Sequence, residues 1–401
     1  MKILQNLKNR KVLVGITGGI AAYKIPLFIR LLVKAGAEVK VIISENGLQF
    51  VTRVTLETVS KNSIYSDTFG EINDYSTEHI ALTDWADIFV LAPATANIIG
   101  KFASGIGDDA ISTALLAFDK KIIIAPAMNC KMYENFAVQR NMEYLKSNGI
   151  KFIDAVEGDL ACGYSGKGRM AEPEDLLREV IYQLNYSEDS FFKGKKVLVS
   201  AGGTREPIDP VRYLANRSSG KTGFKIAEYF SSLGANVTLV SGINELATNQ
   251  YIDLVRVESS KDMYREISSR IDKTDILIMS AAVADYTFEY SESKIKKSED
   301  SFFNPTPSID ILKSLGKGKR EGQIFVGFAL ETDNLLENGM RKLKSKNLDL
   351  IVLNTVSENF SPFGSDSNSI SIMDRNGGVK QFENLDKNVI GSIIAEGIKN
   401  L

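Results

Sequence analysis

Cysteine and histidine are scarce in this chain of 401 residues, which contains two cysteines, Cys130 and Cys162, and one histidine, His79. Two cysteines cannot build a disulfide framework or a multi-cysteine zinc site. One histidine excludes every mechanism that requires two histidines in the same subunit. Disulfide scaffolds and proteins with cysteine-rich zinc sites are therefore excluded as classes.

Long apolar runs and an excess of one charge are also absent. No run of 18 apolar residues occurs, so the sequence predicts no membrane span. The first residues, MKILQNLKNRK, have scattered charges and no apolar core, which is not the pattern of a signal peptide. The 48 Lys and Arg residues nearly balance the 50 Asp and Glu residues. This balance argues against a mainly electrostatic nucleic-acid binder but allows a small anion in a local pocket. We expect a cytoplasmic α/β enzyme.

The chain is long enough for two domains of about 200 residues each. Residues 12–16 are rich in β-branched side chains and predict a strand, which ends at Thr17-Gly18-Gly19. A helix should follow, because Leu27, Leu31 and Leu32 lie at helical spacing, and Gly36 should end it. Residues 39–43 predict a second strand. This pattern is typical of a βαβ unit with a right-handed connection.

The same pattern returns in the second half, as KKVLVSAGGT at 195–204 and LGANVTLVSG at 233–242. Gly36 aligns with Gly234. The distance from the first strand to this glycine is 24 residues in the first copy (from Val12) and 37 in the second (from Val197). We expect the 13 additional residues in the loop after the first strand, where such folds hold their chemistry.

Further apolar runs predict strands that are buried on both faces. They are residues 88–92, 122–125, 276–280, 324–328 and 350–353. The polar stretch 183–193 separates the two halves, and we place the boundary at Glu188. The predicted fold class is α/β, with two doubly wound, mainly parallel, Rossmann-like domains in series, residues 1–188 and 189–401. We interpret residues 286–301, which contain Lys294, Lys296 and Lys297, as a loop.

Two glycine-rich turns could bind phosphate. Gly15-x-x-Gly18-Gly19 follows a strand and opens a helix, so it suits either a flavin or nucleotide phosphate or a simple tight turn. Its spacing is not that of the GxGxxG dinucleotide motif. Ser219-Gly220-Lys221-Thr222 resembles the end of a P-loop, but Ala215 stands where the first glycine should be. We therefore predict a different phosphate site at the start of that helix.

Several single residues have both a structural and a functional interpretation. Cys162 lies in GDLACGYSGKGR at 158–169, whose four glycines predict a flexible lid carrying a proton donor or nucleophile. Asn129, after the loop opened by Pro126, could bind a carboxylate or cap its own backbone turn. A lone histidine such as His79 is more often structural, and we interpret Cys130 as structural.

Taken together, these motifs resemble the bacterial family of bifunctional phosphopantothenoylcysteine decarboxylases / phosphopantothenate–cysteine ligases of coenzyme A synthesis. The resemblance covers nearly the whole chain. The first half has the motifs GITGGIAAYK at 15–24, His79, APATAN at 92–97, PAMN at 126–129 and ACGYSGKGR at 161–169. The second half has SAGGTREPIDPVR at 200–212, NRSSGKTG at 216–223, AAVADY at 281–286, KIKK at 294–297 and GFALET at 327–332.

The resemblance implies that the first domain is an FMN-dependent decarboxylase of the flavin-containing cysteine decarboxylase type. The flavin would oxidise the substrate to a thioaldehyde, which allows loss of carbon dioxide, and would then reduce the product. His79 would act at the substrate thiol, Asn129 would orient the carboxylate, and Cys162 would donate the final proton. The implied FMN contacts are Gly18, Gly19, Ile20, Ser44, Thr95, Asn97 and Met128. The family builds its flavin site between subunits, so a homo-oligomer is expected.

The second domain would use CTP to activate 4′-phosphopantothenate as an acyl-cytidylate, which the amine of L-cysteine then attacks. Mg²⁺ or another divalent cation is expected to neutralise the polyphosphate. By resemblance, Lys294 stabilises charge at the reacting phosphate and Asn216 handles the acyl-cytidylate. The implied substrate or nucleotide contacts are Arg212, Ser219, Gly220, Lys221, Ala282, Asp285, Lys297, Phe328, Lys342 and Lys346. Lys342 and Lys346 have i, i+4 spacing and would share one helix face, which could instead be a solvated face.

Three other functions compete with this one. A flavoprotein decarboxylase of peptide cysteines would fit the first domain, but the ligase-like second domain argues against it. A non-catalytic regulatory relative would not need His79, Asn129 and Cys162 together. A nicotinamide-dependent reductase would need the GxGxxG motif that the chain lacks. The partners that we expect are small-molecule substrates, with no nucleic acid and no membrane.

Overall fold

The computed structural model describes residues 7–66, 78–159, 165–186, 189–296, 304–331, 334–355, 367–386 and 389–401. The chain divides into two compact units, Met1–Leu184 and Asn185–Leu401. The boundary that we predicted, Glu188, lies outside the described residues. Within these ranges, no helix is long and apolar enough to cross a membrane.

The first unit is built on a six-stranded parallel sheet with the order β3-β2-β1-β4-β5-β6. Its strands are β1 (Lys11–Ile16), β2 (Glu38–Ile43), β3 (Ile64–Tyr65), β4 (Ile88–Ala94), β5 (Lys121–Pro126) and β6 (Lys151–Phe152), with a separate hairpin of β7 (Val156–Asp159) and β8 (Ser165–Arg169). The order reverses between β1 and β4, and ligands bind at such a point, beyond the carboxyl ends of the strands.

Helices connect these strands. A 3₁₀ helix covers Ile20–Lys24, and the α-helices are α1 (Ile25–Lys34), α2 (Glu45–Leu48), α3 (Arg53–Ser60), α4 (Glu78–Trp85), α5 (Ala96–Ala103), α6 (Ala110–Ala117), α7 (Cys130–Tyr133), α8 (Phe136–Ser147) and α9 (Pro173–Asn185). Apolar side chains from these helices pack on both faces of the sheet, in two separate hydrophobic clusters. The predicted βαβ unit and the strands at 88–92 and 122–125 are confirmed.

Helix α1 confirms the sequence prediction, since it contains Leu27, Leu31 and Leu32. Gly36 follows the helix with φ = +94°, a conformation that favours glycine, so the predicted helix end is confirmed as well. The buried face of the helix runs through Ile25, Phe28, Ile29 and Leu32, whereas Leu27 is 48% exposed.

The second unit contains an eight-stranded sheet with the order β13-β12-β9-β14-β17-β18-β19-β20. Its strands are β9 (Lys196–Ala201), β10 (Arg205–Pro207), β11 (Tyr213–Ala215), β12 (Asn236–Ser241), β13 (Ile252–Arg256), β14 (Ile276–Met279), β15 (Tyr286–Thr287), β16 (Thr306–Pro307), β17 (Ile324–Glu331), β18 (Leu350–Thr355), β19 (Ser367–Asp374) and β20 (Val379–Asp386). Its helices are α10 (Lys221–Ser232), α11 (Ser260–Ile271), α12 (Ile311–Gly316), α13 (Leu335–Ser345) and α14 (Ile390–Lys399).

This sheet is parallel from β13 to β18, and β19 and β20 extend it in antiparallel fashion. The predicted α/β class with mainly parallel sheets is confirmed, although we did not predict the antiparallel extension. The internal repeat is confirmed as well, since Gly234 follows α10 with φ = +79°, as Gly36 follows α1. The additional residues of the second copy lie where we expected them, and they form the antiparallel hairpin of β10 and β11.

The region 286–301 differs in part from the predicted loop. Its first two residues form β15, which pairs with β16 in antiparallel fashion. The prediction was wrong there, because the alternation that usually marks a strand cannot be read from two residues. Residues 288–296 have no helix or strand, and residues 297–301 lie outside the described ranges.

Candidate active sites

Thr17 joins the ends of β1 and β4 in the first unit. Its hydroxyl group donates a hydrogen bond to the Pro93 carbonyl (2.6 Å) and accepts one from the Thr95 amide (3.2 Å). Its own amide also donates to the Pro93 carbonyl (3.3 Å). A Cβ atom placed on Gly19 would lie 3.8 Å from Cγ2 of Thr95. The two loops therefore meet at the predicted ligand-binding edge of the sheet.

Gly18 occupies a position that has no room for a side chain. A Cβ atom there would lie 2.5 Å from Cβ of Asn46, a distance that real Cβ atoms do not show. Asn46 belongs to α2, which Ser44 caps by accepting a hydrogen bond from the Gly47 amide (3.1 Å). The Ser44 amide donates to the Ile16 carbonyl (3.0 Å), which brings β2 to the same edge.

Three of the predicted flavin contacts, Gly18, Ser44 and Thr95, are thus brought together at one edge. Thr95 caps α5 through a hydrogen bond from the Ile98 amide (3.5 Å). Asn97 is exposed, and Ile20 is 58% exposed on the 3₁₀ helix that opens after Gly19. A glycine backbone, two hydroxyl groups and a helix start form a cradle that fits a phosphate group.

The loop after β5 carries Met128 and Asn129. The Asn129 Oδ1 atom accepts a hydrogen bond from the Lys131 amide (2.9 Å) and so caps α7. The structure therefore shows the second of our two interpretations, the backbone turn, and the role toward a substrate carboxylate stays a prediction. Cys130 is partly buried, with its Sγ atom 3.9 Å from Asn129 Oδ1.

Strand β8 packs directly on this loop through two glycines. A Cβ atom on Gly168 would lie 2.3 Å from the Met128 carbonyl oxygen, and one on Gly166 would lie 3.0 Å from Cβ of Cys130. The Met128 amide donates to the Gly168 carbonyl (3.0 Å). We interpreted the glycines of 158–169 as a sign of mobility, and this was wrong at Gly166 and Gly168. These glycines serve close packing within a paired strand.

Two of the predicted catalytic residues of the first unit cannot be placed. Cys162 and its neighbours 160–164 lie outside the described residues. His79 belongs to helix α4, but its side chain is not among those described. Their roles therefore stay predictions.

The second unit contains a cavity of about 730 Å³ at the carboxyl ends of its central strands. It is lined by residues 216–223, 279–285, 308–312 and 328–330 together with Lys342, Lys346 and Asn354. The lining includes the predicted catalytic residue Asn216 and eight predicted substrate or nucleotide contacts: Ser219, Gly220, Lys221, Ala282, Asp285, Phe328, Lys342 and Lys346.

Close backbone contacts shape the floor of this cavity. Gly220 precedes α10 with φ = +77°, so the chain can turn sharply into the helix. A Cβ atom on Gly203 would lie 3.0 Å from the Asn216 carbonyl oxygen. The first amide groups of an α-helix have no carbonyl partner within the helix, so a helix start suits an anion. The geometry at the start of α10 thus fits a phosphate group, and the phosphate site itself stays a prediction.

Asn216 connects the two sides of the cavity. Its Nδ2 group donates to the carbonyl oxygens of Ala282 (3.3 Å) and Val283 (3.1 Å). The Ala282 amide donates in turn to the Gly202 carbonyl (2.8 Å). The loop before Asp285 is therefore fixed against the glycine turn that follows β9.

Cationic side chains line the opposite side of the cavity. Lys342 lies in the last turn of α13 and Lys346 is the residue that directly follows the helix, and both residues line the cavity. The Lys346 ammonium group lies 2.9 Å from a carboxylate oxygen of Asp310. Burial opposes ionisation of Asp310, but hydrogen bonds from Lys346 and from the Lys313 amide outweigh it and lower the pKa of that carboxyl. Together with Lys221, these lysines suit a polyphosphate.

Sequence reasoning missed Asp310 and Asn354. The Asn354 Oδ1 atom is buried and has no hydrogen-bond partner within the described residues, although the residue lines the cavity. A buried acceptor of this kind is costly unless a ligand satisfies it. A usable signal was present, because Asn354 is a polar residue near the carboxyl end of the apolar strand LIVLNT.

Two predicted residues of the second unit, Arg212 and Lys294, are not among those that line this cavity, and a third cannot be placed. Arg212 binds Asp209 and the Ile295 carbonyl instead (2.6 Å each). Lys294 is exposed in the segment after β15, and Lys297 lies outside the described residues. The part of the chain that the structure describes holds no cluster of three His, Cys, Asp or Glu residues that could bind a metal ion.

The folds define an α/β protein of two units, and a family model matches each unit. The family model named Flavoprotein matches residues 2–185. The model named DNA/pantothenate metabolism flavoprotein C-terminal domain matches residues 192–401. The two models together account for both units.

Comparison with similar proteins shows to which family the chain belongs. The coenzyme A biosynthesis bifunctional protein CoaBC of Bacillus subtilis is 43% identical over 95% of this chain and 94% of its own. A cysteine/cysteine sulfinic acid decarboxylase from an unknown prokaryotic organism is 41% identical over 88% of this chain and 99% of its own. A crystal structure of a CoaBC C-terminal domain is 36% identical, with a TM-score of 0.46, and covers 52% of this chain and 96% of its own. The chain belongs to the CoaBC family of bifunctional coenzyme A biosynthesis proteins.

Replacing Gly168 by Ala should loosen the contact between β8 and the loop after β5. The new Cβ atom would collide with the Met128 carbonyl oxygen, which is backbone and cannot move cheaply. We expect a loss of about 1–3 kcal/mol in stability. Amide hydrogen exchange at Met128 and thermal unfolding would measure it.

Gly100→Ala is the matched control. Its Cβ atom would meet only Nδ2 of Asn141, at 3.7 Å, inside helix α5. Alanine should leave stability unchanged or raise it by up to about 1 kcal/mol. Equal stabilities for the two variants would contradict the close contact at Gly168.

Proposed function

We propose that this chain catalyses two consecutive steps of coenzyme A synthesis. Residues 189–401 join 4′-phosphopantothenate to L-cysteine with CTP, and residues 1–188 decarboxylate 4′-phosphopantothenoyl-L-cysteine to 4′-phosphopantetheine with FMN. The observation that carries this proposal is the lysine-lined cavity of the second unit, because a decarboxylase acting alone has no need of a polyphosphate site. The family membership of both halves supports it.

The first unit fits a flavin mononucleotide at the edge where β1, β2 and β4 end. Gly18, Gly19 and Ile20 would hold the phosphate with their backbone, and Ser44 and Thr95 would add hydroxyl donors. Asn97 and Met128 would contact the rest of the group. When bound, FMN supplies the two-electron oxidation and reduction that decarboxylation needs.

The protein then orients the substrate. Asn129 would bind the substrate carboxylate, His79 would act at the thiol, and Cys162 would deliver the last proton. Asn129 begins α7, so its position is fixed by the cap that it forms. The exposed Ile20 and Tyr23 beside the cradle support a flavin site completed by a second subunit.

In the second unit, the carboxylate of 4′-phosphopantothenate attacks the α-phosphorus of CTP and pyrophosphate leaves. The cysteine amine then attacks the acyl carbon of the acyl-cytidylate, and CMP leaves. Lys221, Lys342 and Lys346 would bind the triphosphate, and Asn216 and Asp285 would contact the acyl-cytidylate. The rest of the nucleotide site would be formed by Ser219, Gly220, Ala282 and Phe328. Lys294 would stabilise charge at the reacting phosphorus. Arg212 and Lys297 stay predicted contacts.

A divalent cation such as Mg²⁺ would neutralise the triphosphate during the reaction. Magnesium commonly binds substrate phosphates and water with only one or two protein carboxylates. Asp285 and Asp310 line the cavity and suit such a site, although we assign no ligand set. A homo-oligomer in the cytoplasm, without nucleic-acid or membrane partners, stays a prediction.

The relative named as a cysteine/cysteine sulfinic acid decarboxylase suggests a second candidate, decarboxylation of free cysteine or cysteine sulfinic acid. That activity would need FMN but neither CTP nor 4′-phosphopantothenate. Substrate specificity therefore separates the two candidates.

The deciding experiment is to record the absorbance of the purified chain and then supply substrates. We expect flavin bands, with FMN released on denaturation. With 4′-phosphopantothenate, L-cysteine, CTP and Mg²⁺, we expect pyrophosphate, carbon dioxide and 4′-phosphopantetheine. Lys294→Gln should reduce ligation by about a hundredfold or more but leave decarboxylation of preformed 4′-phosphopantothenoylcysteine unchanged.

Several results would contradict the proposal. A colourless protein that does not bind added FMN would remove the decarboxylase half. Carbon dioxide release from free cysteine but not from 4′-phosphopantothenoylcysteine would favour the second candidate. An equal loss of both activities in Lys294→Gln would indicate misfolding and not a role in ligation.

Replacing Asn354 by Leu should maintain or raise the stability of the fold but weaken the binding of CTP. Leucine has a similar volume and removes a buried acceptor that has no partner within the described residues. Stability should therefore stay constant or rise by up to about 1 kcal/mol. The KM for CTP should rise about tenfold, because a ligand donor loses its acceptor. Asn354→Leu with lower stability and an unchanged KM would show that Asn354 serves the fold alone.

A further inference from the structure

The turn between β10 and β11 contains a buried carboxylate that belongs to neither described site. Asp209 is 3% exposed, although its neighbours Pro210 and Val211 are exposed. The hairpin returns along β11 directly into Asn216, a residue of the cavity. The turn is therefore only a few residues along the chain from the proposed ligase site.

The two oxygen atoms of Asp209 have different partners. Oδ1 accepts hydrogen bonds from the amides of Val211 (2.9 Å) and Arg212 (3.0 Å), which closes the turn. Oδ2 accepts from Nε (3.0 Å) and Nη2 (2.6 Å) of the Arg212 side chain and from the Ile295 amide (3.1 Å). One oxygen atom thus forms the turn, and the other reaches the segment that carries Lys294.

Ile295 is held at both of its backbone polar groups. Its amide donates to Asp209, and its carbonyl oxygen accepts from Nη2 of Arg212 (2.6 Å). The Ser291 amide also donates to the Ile208 carbonyl (3.0 Å). Hydrogen bonds to charged groups are stronger than those between neutral groups, so the two contacts fix the residue next to Lys294.

We infer that Asp209 is a positioning residue for ligation. Together with Arg212, it attaches the backbone beside Lys294 to the hairpin that leads into Asn216. This inference rests on the proposed role of Lys294. The Asp209–Arg212 pair joins two chain segments that carry predicted catalytic residues. Asp209 is not among the residues that line the cavity, and its hydrogen bonds are made to the Arg212 side chain and to backbone amides, so the role that we assign to it is indirect.

The charge of Asp209 is stable over the working pH range. Burial opposes ionisation, but hydrogen bonds from the Val211 amide, the Arg212 side chain and the amides of Ile295 and Arg212 outweigh it and lower the pKa of Asp209 to about 2. Because the pKa is lowered on folding, the pair contributes its stabilisation at neutral pH and loses it only as the pH falls through the interval from about 4 to 2.

Asp209→Asn separates the two functions of the carboxylate. The amide oxygen can still close the turn, whereas the NH₂ group in place of Oδ2 cannot accept from Arg212 or Ile295. In the full chain with CTP and 4′-phosphopantothenate, we expect kcat for pyrophosphate release to fall about tenfold or more, with less than about a threefold change in the KM for CTP. The loss should be constant between about pH 5 and 8, because the wild-type carboxylate stays ionised there.

A double variant tests the connection to Lys294. If Asp209 acts by positioning Lys294, Asp209→Asn combined with Lys294→Gln should ligate within about twofold of Lys294→Gln alone, whereas independent effects would multiply. Amide hydrogen exchange gives a readout that does not depend on activity. The peptide covering residues 291–296 should exchange faster in Asp209→Asn than in the wild type. Asp253→Asn, at an exposed position of β13, is the control that should change neither measurement.

The outcomes distinguish this inference from the proposed function. Unchanged exchange in residues 291–296, a wild-type kcat in Asp209→Asn, or multiplicative losses in the double variant would each overturn the positioning role alone. A normal ligation rate in Lys294→Gln would overturn the assignment of Lys294 and the positioning role with it. Faster exchange, a lower kcat and a non-multiplicative double variant together would support the inference.

Discussion

Backbone segments at the carboxyl ends of the parallel strands approach one another so closely that no Cβ atom fits between them. In the first unit this constraint applies at Gly18 against Asn46 and at Gly168 against Met128. In the second unit a Cβ atom on Gly242 would lie 2.1 Å from the Gly203 carbonyl oxygen. The close approach brings backbone amides to the edge where each proposed site lies, and amide groups are the donors that suit a phosphate. The arrangement of the loops at both edges depends on it.

Several polar side chains at these edges stabilise the local fold, apart from any role that they have in binding or chemistry. Ser44, Thr95 and Asn129 each cap a short helix, and Asn216 holds the loop of Ala282 and Val283. Their positions are therefore determined by contacts within the fold. Side chains that are held in this way lose less conformational entropy when a ligand binds.

Charged side chains of the second unit form local groups, although the net charge of the whole chain is only −2. Lys221, Lys342 and Lys346 line one cavity, and Asp310 pairs with Lys346 at its side. The Asp209–Arg212 pair lies outside the cavity and binds a loop backbone. Two ion pairs of similar length thus have different surroundings, and only the tertiary structure distinguishes them.

The amino-acid sequence by itself determined the α/β class, the buried strands, the internal repeat and the glycine turns. These features depend on local periodicity and on backbone conformations such as that of Gly36, which neighbouring residues specify. Motifs in the sequence carried the resemblance to a known family, and this resemblance indicated the activity. The structure alone decided which residues meet. It placed Lys342 and Lys346 in the cavity with Asn354 and kept Arg212 out of it, because contacts between distant segments depend on strand order and packing. For the same reason, only the structure showed that Gly166 and Gly168 serve close packing and not mobility.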